Sequence, residues 1–168
     1  VRCLAVEPAS CPSLTKGVYA FDYGDTAKLS PIAKMYTLGH DFMPPGIHAG
    51  GLRYHGMAPL VSKAVADKLM EPRSIGQEEC YASAVAFARS EGIVPAPESS
   101  HALAMAMREA AKAKEEAKEK VIVFNLSGNG MLDLIGYEKY LSGNIKDHQP
   151  SPEQLARSLD CIRNFPKP

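Results

Sequence analysis

Glu98 is the residue whose position in this sequence most clearly suggests chemistry. It follows the Pro-rich run "IVPAP" and stands immediately before a segment with helical spacing, "SSHALAMAM". A carboxylate at a helix start could interact with the partial positive charge of the helix N-terminus. It could equally face a cationic or proton-shuttling ligand. The pattern alone does not choose between the capping role and the binding role.

The turn "NLSGNG", residues 125–130, is a second candidate site. It follows "VIVF", which has the clearest strand character in the chain. In open α/β sheets, ligands collect in the crevice beyond the carboxyl ends of the strands. The hydroxyl of Ser127 could make hydrogen bonds there, and the flanking glycines leave room for a ligand. The alternative is a plain turn of small residues. A nucleophilic role is not indicated, because the G-x-S-x-G motif is absent.

The segment "HAGGLRYHG", residues 48–56, is rich in glycine, and glycine lets backbone approach a ligand closely. It matches neither G-x-G-x-x-G nor a Walker loop, so no nucleotide site is predicted, and a connecting loop remains the alternative. His40, His48 and His55, with Asp41 beside the first, are separated by eight and seven residues. This spacing fits no metal-binding template, so polar contacts within a loop are favoured over a metal site.

The elements that must position these residues follow from apolar periodicity. Strands and helices alternate, which is typical of the α/β class, and we predict three layers with a mostly parallel sheet flanked by helices. The predicted strands are residues 2–8, 93–96 and 121–128. The predicted helices are residues 30–39, 58–70, 77–90, 99–120 and 134–143 and a last one capped by Ser151. The segment "GVYAFDYGDTAKLSP", residues 17–31, has turn signals and no helical period, and we predict a loop there.

Composition narrows the function further. The chain has 168 residues, a formal net charge of zero and 45% hydrophobic residues, which predicts one soluble globular domain spanning 1–168. Zero net charge removes the usual electrostatic basis for binding nucleic acid or an anionic membrane. There is no signal-peptide pattern and no apolar run of the roughly 20 residues that a membrane helix needs. The four cysteines form no C-x-x-C pair, which favours free thiols and a cytoplasmic location.

Several long motifs together resemble the tryptophan synthase β chain, in particular its second, stand-alone type. They are "CLAVEP", "DYGDTAKLSPIAKMYTLGHDFMPPGIHAGGLRYHG", "EGIVPAPESSHAL" and "LSGNGMLDLIGY", in collinear order from Arg2 to about Leu141. The resemblance implies a fold-type II pyridoxal phosphate enzyme, a lyase of tryptophan biosynthesis. That enzyme joins L-serine and indole by β-replacement to give L-tryptophan and water. It further implies a homodimer, with at most a weak contact to an α chain.

The resemblance also implies roles for individual residues. Ser127 would hydrogen-bond the pyridine nitrogen of the cofactor, with Gly128 beside it. Glu98 would lie next to the cofactor ring as a catalytic and cofactor-binding carboxylate, and Gly51 would belong to the loop over the active site. Arg53 stands where the better-known type has an aspartate that contacts the serine hydroxyl. This charge reversal favours a donor with an anionic group, such as phosphoserine.

Two further points come from the resemblance. Backbone carbonyls at Leu52, Tyr54 and Gly56 correspond to positions that help to hold a monovalent cation in the family. The family's Schiff-base lysine, in a "HKIN"-type motif, and its "GGGSN"-type phosphate loop do not occur in the sequence. Because that lysine is needed for covalent attachment of the cofactor, we expect the chain to be the C-terminal portion of the enzyme and to be inactive alone.

Two alternative functions stay open. Because Arg53 replaces the aspartate, a related pyridoxal phosphate lyase of the serine or threonine dehydratase type is one alternative. The absence of the lysine motif keeps in play a non-catalytic domain that derives from the enzyme.

Overall fold

The structure, a computed structural model, describes residues 1–166. The chain divides into two compact units. The first unit contains residues 1–46, 53–74 and the described residues from His148 onward; the second contains residues 47–52 and 75–147. The strands are β1 (Leu4–Pro8), β2 (Val18–Tyr23), β3 (Ile32–Thr37) and β4 (Glu71–Ile75). The helices are α1 (Ser13–Lys16), α2 (Pro59–Ala66), α3 (Gln77–Glu91), α4 (Pro97–Glu115), α5 (Leu134–Leu141) and α6 (Pro152–Leu159).

The first unit contains an antiparallel hairpin where the sequence predicted a loop and a helix. β2 pairs with β3 from Val18 opposite Thr37 to Tyr23 opposite Ile32. The segments "VYAFDY" and "IAKMYT" are rich in aromatic and β-branched residues, which suit a sheet. The Ser30–Pro31 pair, predicted to begin a helix, instead ends the connecting loop, where Asp25 accepts hydrogen bonds from the backbone N–H groups of Leu29 and Ser30. Cross-strand pairing therefore overrode the local capping signal.

Among the described residues of the first unit, two apolar clusters contribute to its core. One contains Ala5 of β1, Leu14 of α1 and Val65 of α2, and the other contains Cys11, Leu38, Phe42 and Leu155 of α6. β1, which was predicted, pairs with β4, which was not. Pro72 lies inside β4 and weakened its strand signal, because proline is normally confined to sheet edges. All four cysteines are free, as predicted.

The second unit is built from α3, α4 and α5. Tyr81 and Ala84 of α3 pack with Tyr137 of α5 and with Ile145 in a buried cluster. Gly92 ends α3 in the left-handed region at φ 71°, the conformation for which glycine is favoured after the last turn of a helix. α4 starts at Pro97, because proline suits the first position of a helix. In this unit the start of α4 lies beside the turn that contains Ser127 and Gly128.

The segment 121–128 is not a strand, and neither is 93–96; both strand predictions are wrong. Val121 and Val123 are 92% and 86% exposed, and Leu126 is also exposed. An isolated extended segment gains no ladder hydrogen bonds, and no described residue pairs with this one as a strand. β-branched composition alone therefore does not make a strand here. The α/β class itself is confirmed. Among the described residues, no helix has both the length and the apolar character to cross a membrane.

Candidate functional site

Glu98 lies in the first turn of α4, and its carboxylate contacts the backbone of the glycine-rich turn Gly50–Leu52. The N–H of Gly51 donates a hydrogen bond to Oε1 of Glu98 at 2.9 Å. A Cβ placed on Gly51 would lie 3.2 Å from both Cγ and Oε1 of Glu98, which is tighter than an ordinary contact. Glycine at position 51 thus allows the close approach, and the half-buried carboxylate keeps its second oxygen for another partner.

Ser127 is joined to the same end of α4 through its backbone. The hydroxyl of Ser99, the residue after Glu98, donates to the carbonyl oxygen of Ser127 at 2.9 Å. The next residue, Gly128, has φ 78°, and a Cβ there would lie 2.8 Å from Cβ of Ala96. Only glycine combines this left-handed conformation with so close a contact. The turn is therefore seated against the residues that begin α4.

The structure brings together four of the residues singled out in the sequence. Gly51 contacts Glu98 directly. Ser127 contacts Ser99 and Gly128 contacts Ala96, and both of these partners are close neighbours of Glu98 in the sequence. Ser127 is exposed, and its hydroxyl has no hydrogen-bond partner within the described part of the chain. A free hydroxyl and a carboxylate with one free oxygen thus belong to two segments that meet at the start of α4. Together they can donate and accept hydrogen bonds to a flat polar ligand.

The sequence interpretation missed two charged residues: Asp133, which interacts with Glu98, and Lys139, which lies beside His48. Burial raises the pKa of Asp133, and the negative charge of Glu98 raises it further. Burial lowers the pKa of His48, and the neighbouring Lys139, whose Nζ lies 3.3 Å from Nε2 of His48, lowers it further. Asp133 and Lys139 lie in "MLDLIGYEK", directly after the "NLSGNG" turn. Their nearness to the turn in sequence was the only available signal.

The remaining predicted residues have other local surroundings. Arg53 belongs to the first unit, is exposed, and donates from Nε to the carbonyl of Pro45 at 2.9 Å and from Nη2 to that of Pro44 at 3.2 Å. Leu52 ends the turn Gly50–Leu52 in the second unit. Tyr54 is exposed, and Gly56 forms an isolated bridge with Thr37. The cation-binding role of these carbonyls stays a prediction.

The histidines make the polar contacts that their spacing favoured. Nδ1 of His40 lies 2.5 Å from Oδ1 of the fully buried Asp22, and Nε2 of His55 lies 2.8 Å from the carbonyl oxygen of Tyr23. Oδ2 of Asp22 also accepts a hydrogen bond from the hydroxyl of Thr37 at 2.6 Å. Asp22 thereby ties the end of β2 to the end of β3.

A family model described as "Pyridoxal-phosphate dependent enzyme" matches residues 1–128, about three quarters of the chain. The chain belongs to this family. The matched range includes Gly51, Glu98, Ser127 and Gly128. The members of the family depend on pyridoxal phosphate, so the residues gathered at the start of α4 can be compared with the needs of that cofactor.

Curated relatives within the family are similar over most of the chain. Proteins named tryptophan synthase beta chain 2 are 60% identical over 145 residues in Methanosarcina mazei and 61% identical over 137 residues in Thermotoga maritima. The protein of that name in Aeropyrum pernix is 54% identical over 156 residues. The matches cover 86%, 82% and 93% of this chain, but only 33%, 32% and 35% of the relatives. The chain thus spans about a third of the length of these relatives.

The residues at the start of α4 fit one side of the pyridoxal ring. The free hydroxyl of Ser127 suits a ring nitrogen, which can accept or donate a hydrogen bond. Glycine at positions 51 and 128 keeps side-chain atoms out of the space beside Glu98 and Ser127. The donor set for the phosphate group and the attachment lysine are not matched by any motif of the 168 residues. The residues present therefore match only part of what pyridoxal phosphate needs.

Proposed function

We propose that this chain forms one wall of the cofactor site of a pyridoxal-phosphate-dependent lyase, the tryptophan synthase β chain. In this proposal the whole enzyme joins L-serine, or a related donor, with indole by β-replacement and releases L-tryptophan and water. The observation that carries the proposal is the convergence at the start of α4, where Glu98 accepts a hydrogen bond from Gly51 while Ser99 holds the carbonyl of Ser127.

Pyridoxal phosphate, when bound, acts as an electron sink for bonds at the amino-acid substrate. The contribution of this chain would be to bind and orient it. Ser127 would offer a neutral hydroxyl to the ring nitrogen, and a neutral partner does not enforce protonation of that nitrogen. Glu98 would hold a proton at its free carboxylate oxygen, while the bond from Gly51 fixes the other oxygen.

The proposed division of labour explains why the chain would be inactive alone. An attachment lysine in the family's motif is absent from its 168 residues. Val121, Val123 and Leu126 are apolar and exposed, and they precede the turn that carries Ser127. We propose that this segment is covered by the remaining part of the enzyme, of which this chain would be the C-terminal portion, 1–168. A non-catalytic domain derived from the enzyme is the alternative, and the missing lysine motif is the feature that favours it.

Arg53 bears on the donor of the β-replacement. Two of its N–H groups hold carbonyls of Pro44 and Pro45, and its exposed guanidinium has further donors available. A guanidinium suits an anionic group, so a phosphorylated serine is a candidate donor beside L-serine. A dehydratase-type lyase, which would consume the hydroxyamino acid without indole, is the competing function that Arg53 keeps open.

Further parts of the proposal rest on the resemblance and on the family. We propose a homodimer in the cytoplasm, a weak contact or none with an α chain, and no nucleic acid or membrane partner. A monovalent cation held by the carbonyls of Leu52, Tyr54 and Gly56 would complete the cofactors. Small-molecule substrates follow from the family, since enzymes of this kind act on amino acids.

A chimaera would test the proposed function. The region of the Thermotoga maritima relative that aligns with this chain, 137 residues long, is replaced by the matching residues of this chain. The purified chimaera is supplied with indole and with L-serine or phosphoserine, and L-tryptophan is measured by chromatography. Tryptophan formation from either donor supports the proposal, and the preferred donor tests the interpretation of Arg53. Keto-acid formation without tryptophan would favour the dehydratase, and a folded chimaera without any turnover would favour the non-catalytic domain.

A further inference from the structure

A cluster of three potential metal ligands lies in the first unit and shares no residue with the proposed cofactor wall. One ring nitrogen of His40, one carboxylate oxygen of Asp41 and Sγ of Cys161 all lie within 4.8 Å of one another. His40 and Asp41 follow β3, whereas Cys161 lies in the 3-10 turn Asp160–Ile162 that follows α6. The cluster therefore joins two distant parts of the sequence, and no motif spacing predicts it.

His40 is held as a metal-binding histidine usually is. Its Nδ1 lies 2.5 Å from Oδ1 of the buried Asp22, and a proton on Nδ1 makes this contact a hydrogen bond to the carboxylate. Nε2 then keeps its lone pair, and it lies 3.9 Å from Oδ1 of Asp41. A carboxylate that orients an imidazole in this way is typical of the second shell of a metal site.

Neighbouring rings leave only the edge of His40 available. The ring of Phe165 stacks on His40 with centroids 5.9 Å apart and an interplanar angle of 20°, and Tyr23 packs against it edge-on at 5.4 Å. His40 is only 2% exposed, so its ring has little freedom to reorient. The ring is thus fixed in place before any ligand arrives, which lowers the entropy lost on binding.

The other two ligands are Asp41, which gives an ion access from solvent, and Cys161, which supplies a soft sulfur ligand. Asp41 is exposed and lines a cavity of about 550 Å³ in the same unit, which gives an ion a route from solvent. Sγ of Cys161 is half-buried, lies 3.6 Å from Nδ1 of His40, and donates to the carbonyl of Ser158 at 3.0 Å. Imidazole and thiolate ligands suit zinc, whereas magnesium and calcium prefer oxygen ligands alone.

We propose that His40, Asp41 and Cys161 bind a zinc ion, with Asp22 orienting His40. Zinc bonds of about 2.0–2.3 Å place tetrahedral ligands roughly 3.3–3.8 Å apart, so ligand atoms that lie within 4.8 Å of one another must close in by at most about 1.5 Å. The exposed Asp41 can make most of this movement. Binding releases the thiol proton of Cys161 to solvent, and three protein ligands leave the fourth position to a water molecule.

Zinc titration of the metal-free 168-residue chain against a chromophoric chelator tests this site. We expect one zinc ion per chain, and cobalt in its place should show thiolate-to-metal charge-transfer absorption. Cys161→Ser and Asp41→Asn should each weaken zinc binding at least tenfold, and Cys161→Ser should abolish the cobalt band. Cys3→Ser and Asp67→Asn are the matched controls, because they alter an exposed cysteine and an exposed aspartate in the same unit. Both should bind zinc as the parent chain does.

Thermal melts without metal establish that both ligand variants fold as the parent does. Neither site residue is fully buried, so both substitutions should preserve the fold. Zinc uptake that is unchanged in Cys161→Ser and in Asp41→Asn overturns the proposal. So does the absence of stoichiometric uptake by the folded parent chain. Neither result depends on pyridoxal phosphate or on tryptophan formation, so the test is independent of the proposed function.

Discussion

Replacing Gly128 by alanine tests whether the turn that carries Ser127 is seated against the start of α4. The backbone at Gly128 has φ 78°, and the new Cβ would lie 2.8 Å from Cβ of Ala96. The left-handed conformation costs an L-residue about 1–2 kcal/mol. Overpacking against Ala96 adds roughly 1–3 kcal/mol. We therefore expect Gly128→Ala to lower the free energy of unfolding by about 2–5 kcal/mol, the sum of these two costs.

Gly92→Ala is the matched control in the same unit. Gly92 has φ 71°, but a Cβ there would meet no atom within 4 Å. It should lose only the backbone term of about 1–2 kcal/mol. Urea denaturation followed by far-ultraviolet circular dichroism measures both variants, because the chain has no tryptophan for fluorescence. Equal losses in the two variants would refute the close contact between Gly128 and Ala96.

Three further predictions concern the first unit and are measured by the same denaturation assay. Glu7 is buried and its carboxylate accepts four hydrogen bonds from residues 13–15, so Glu7→Gln should cost about 1–3 kcal/mol; no loss would mean that water replaces these bonds. The Ser30 side chain and nearby backbone N–H groups hold the pKa of Asp25 at about 2. Folding favours the ionised form of Asp25, so this carboxylate stabilises the fold above its usual pKa and stops doing so as the pH falls toward 2. Asp25→Asn should therefore flatten the acid dependence of the free energy of unfolding, and an unchanged profile would contradict the prediction. Ser151 accepts the N–H of Gln154 in a capping box, so Ser151→Ala should cost about 1 kcal/mol, whereas an unaltered midpoint would show that α6 does not need the cap.

Much of the helical framework could be predicted from local sequence. α3, α4 and α5 appear close to their predicted ranges, and Ser151 caps α6 as expected. Such signals act within a few residues, so a single sequence is enough to predict these helices. The hairpin β2–β3 could not be found this way, because the signal of Ser30 and Pro31 is local whereas strand pairing links residues up to 19 apart, Val18 opposite Thr37.

The candidate site divides in the same manner. Glu98, Ser127 and Gly51 were singled out from motifs, and the structure brings them together at the start of α4. Asp133 and Lys139 were not, because their influence depends on the packing of α5 beside His48 rather than on any spacing. The strand prediction for 121–128 was wrong because β propensity needs a neighbouring strand, and the described part of the chain supplies none.

The measurement that tests the central claim most directly is the affinity of the Thermotoga maritima chimaera for pyridoxal phosphate, obtained by equilibrium dialysis. Ser127→Ala removes the hydroxyl proposed to meet the ring nitrogen, and the loss of one hydrogen bond should weaken binding about 2- to 12-fold. Glu98→Gln should weaken it as well, whereas Ser90→Ala and Glu91→Gln, at the exposed end of α3, should leave it unchanged. Unaltered affinity in both Ser127→Ala and Glu98→Gln would contradict the account.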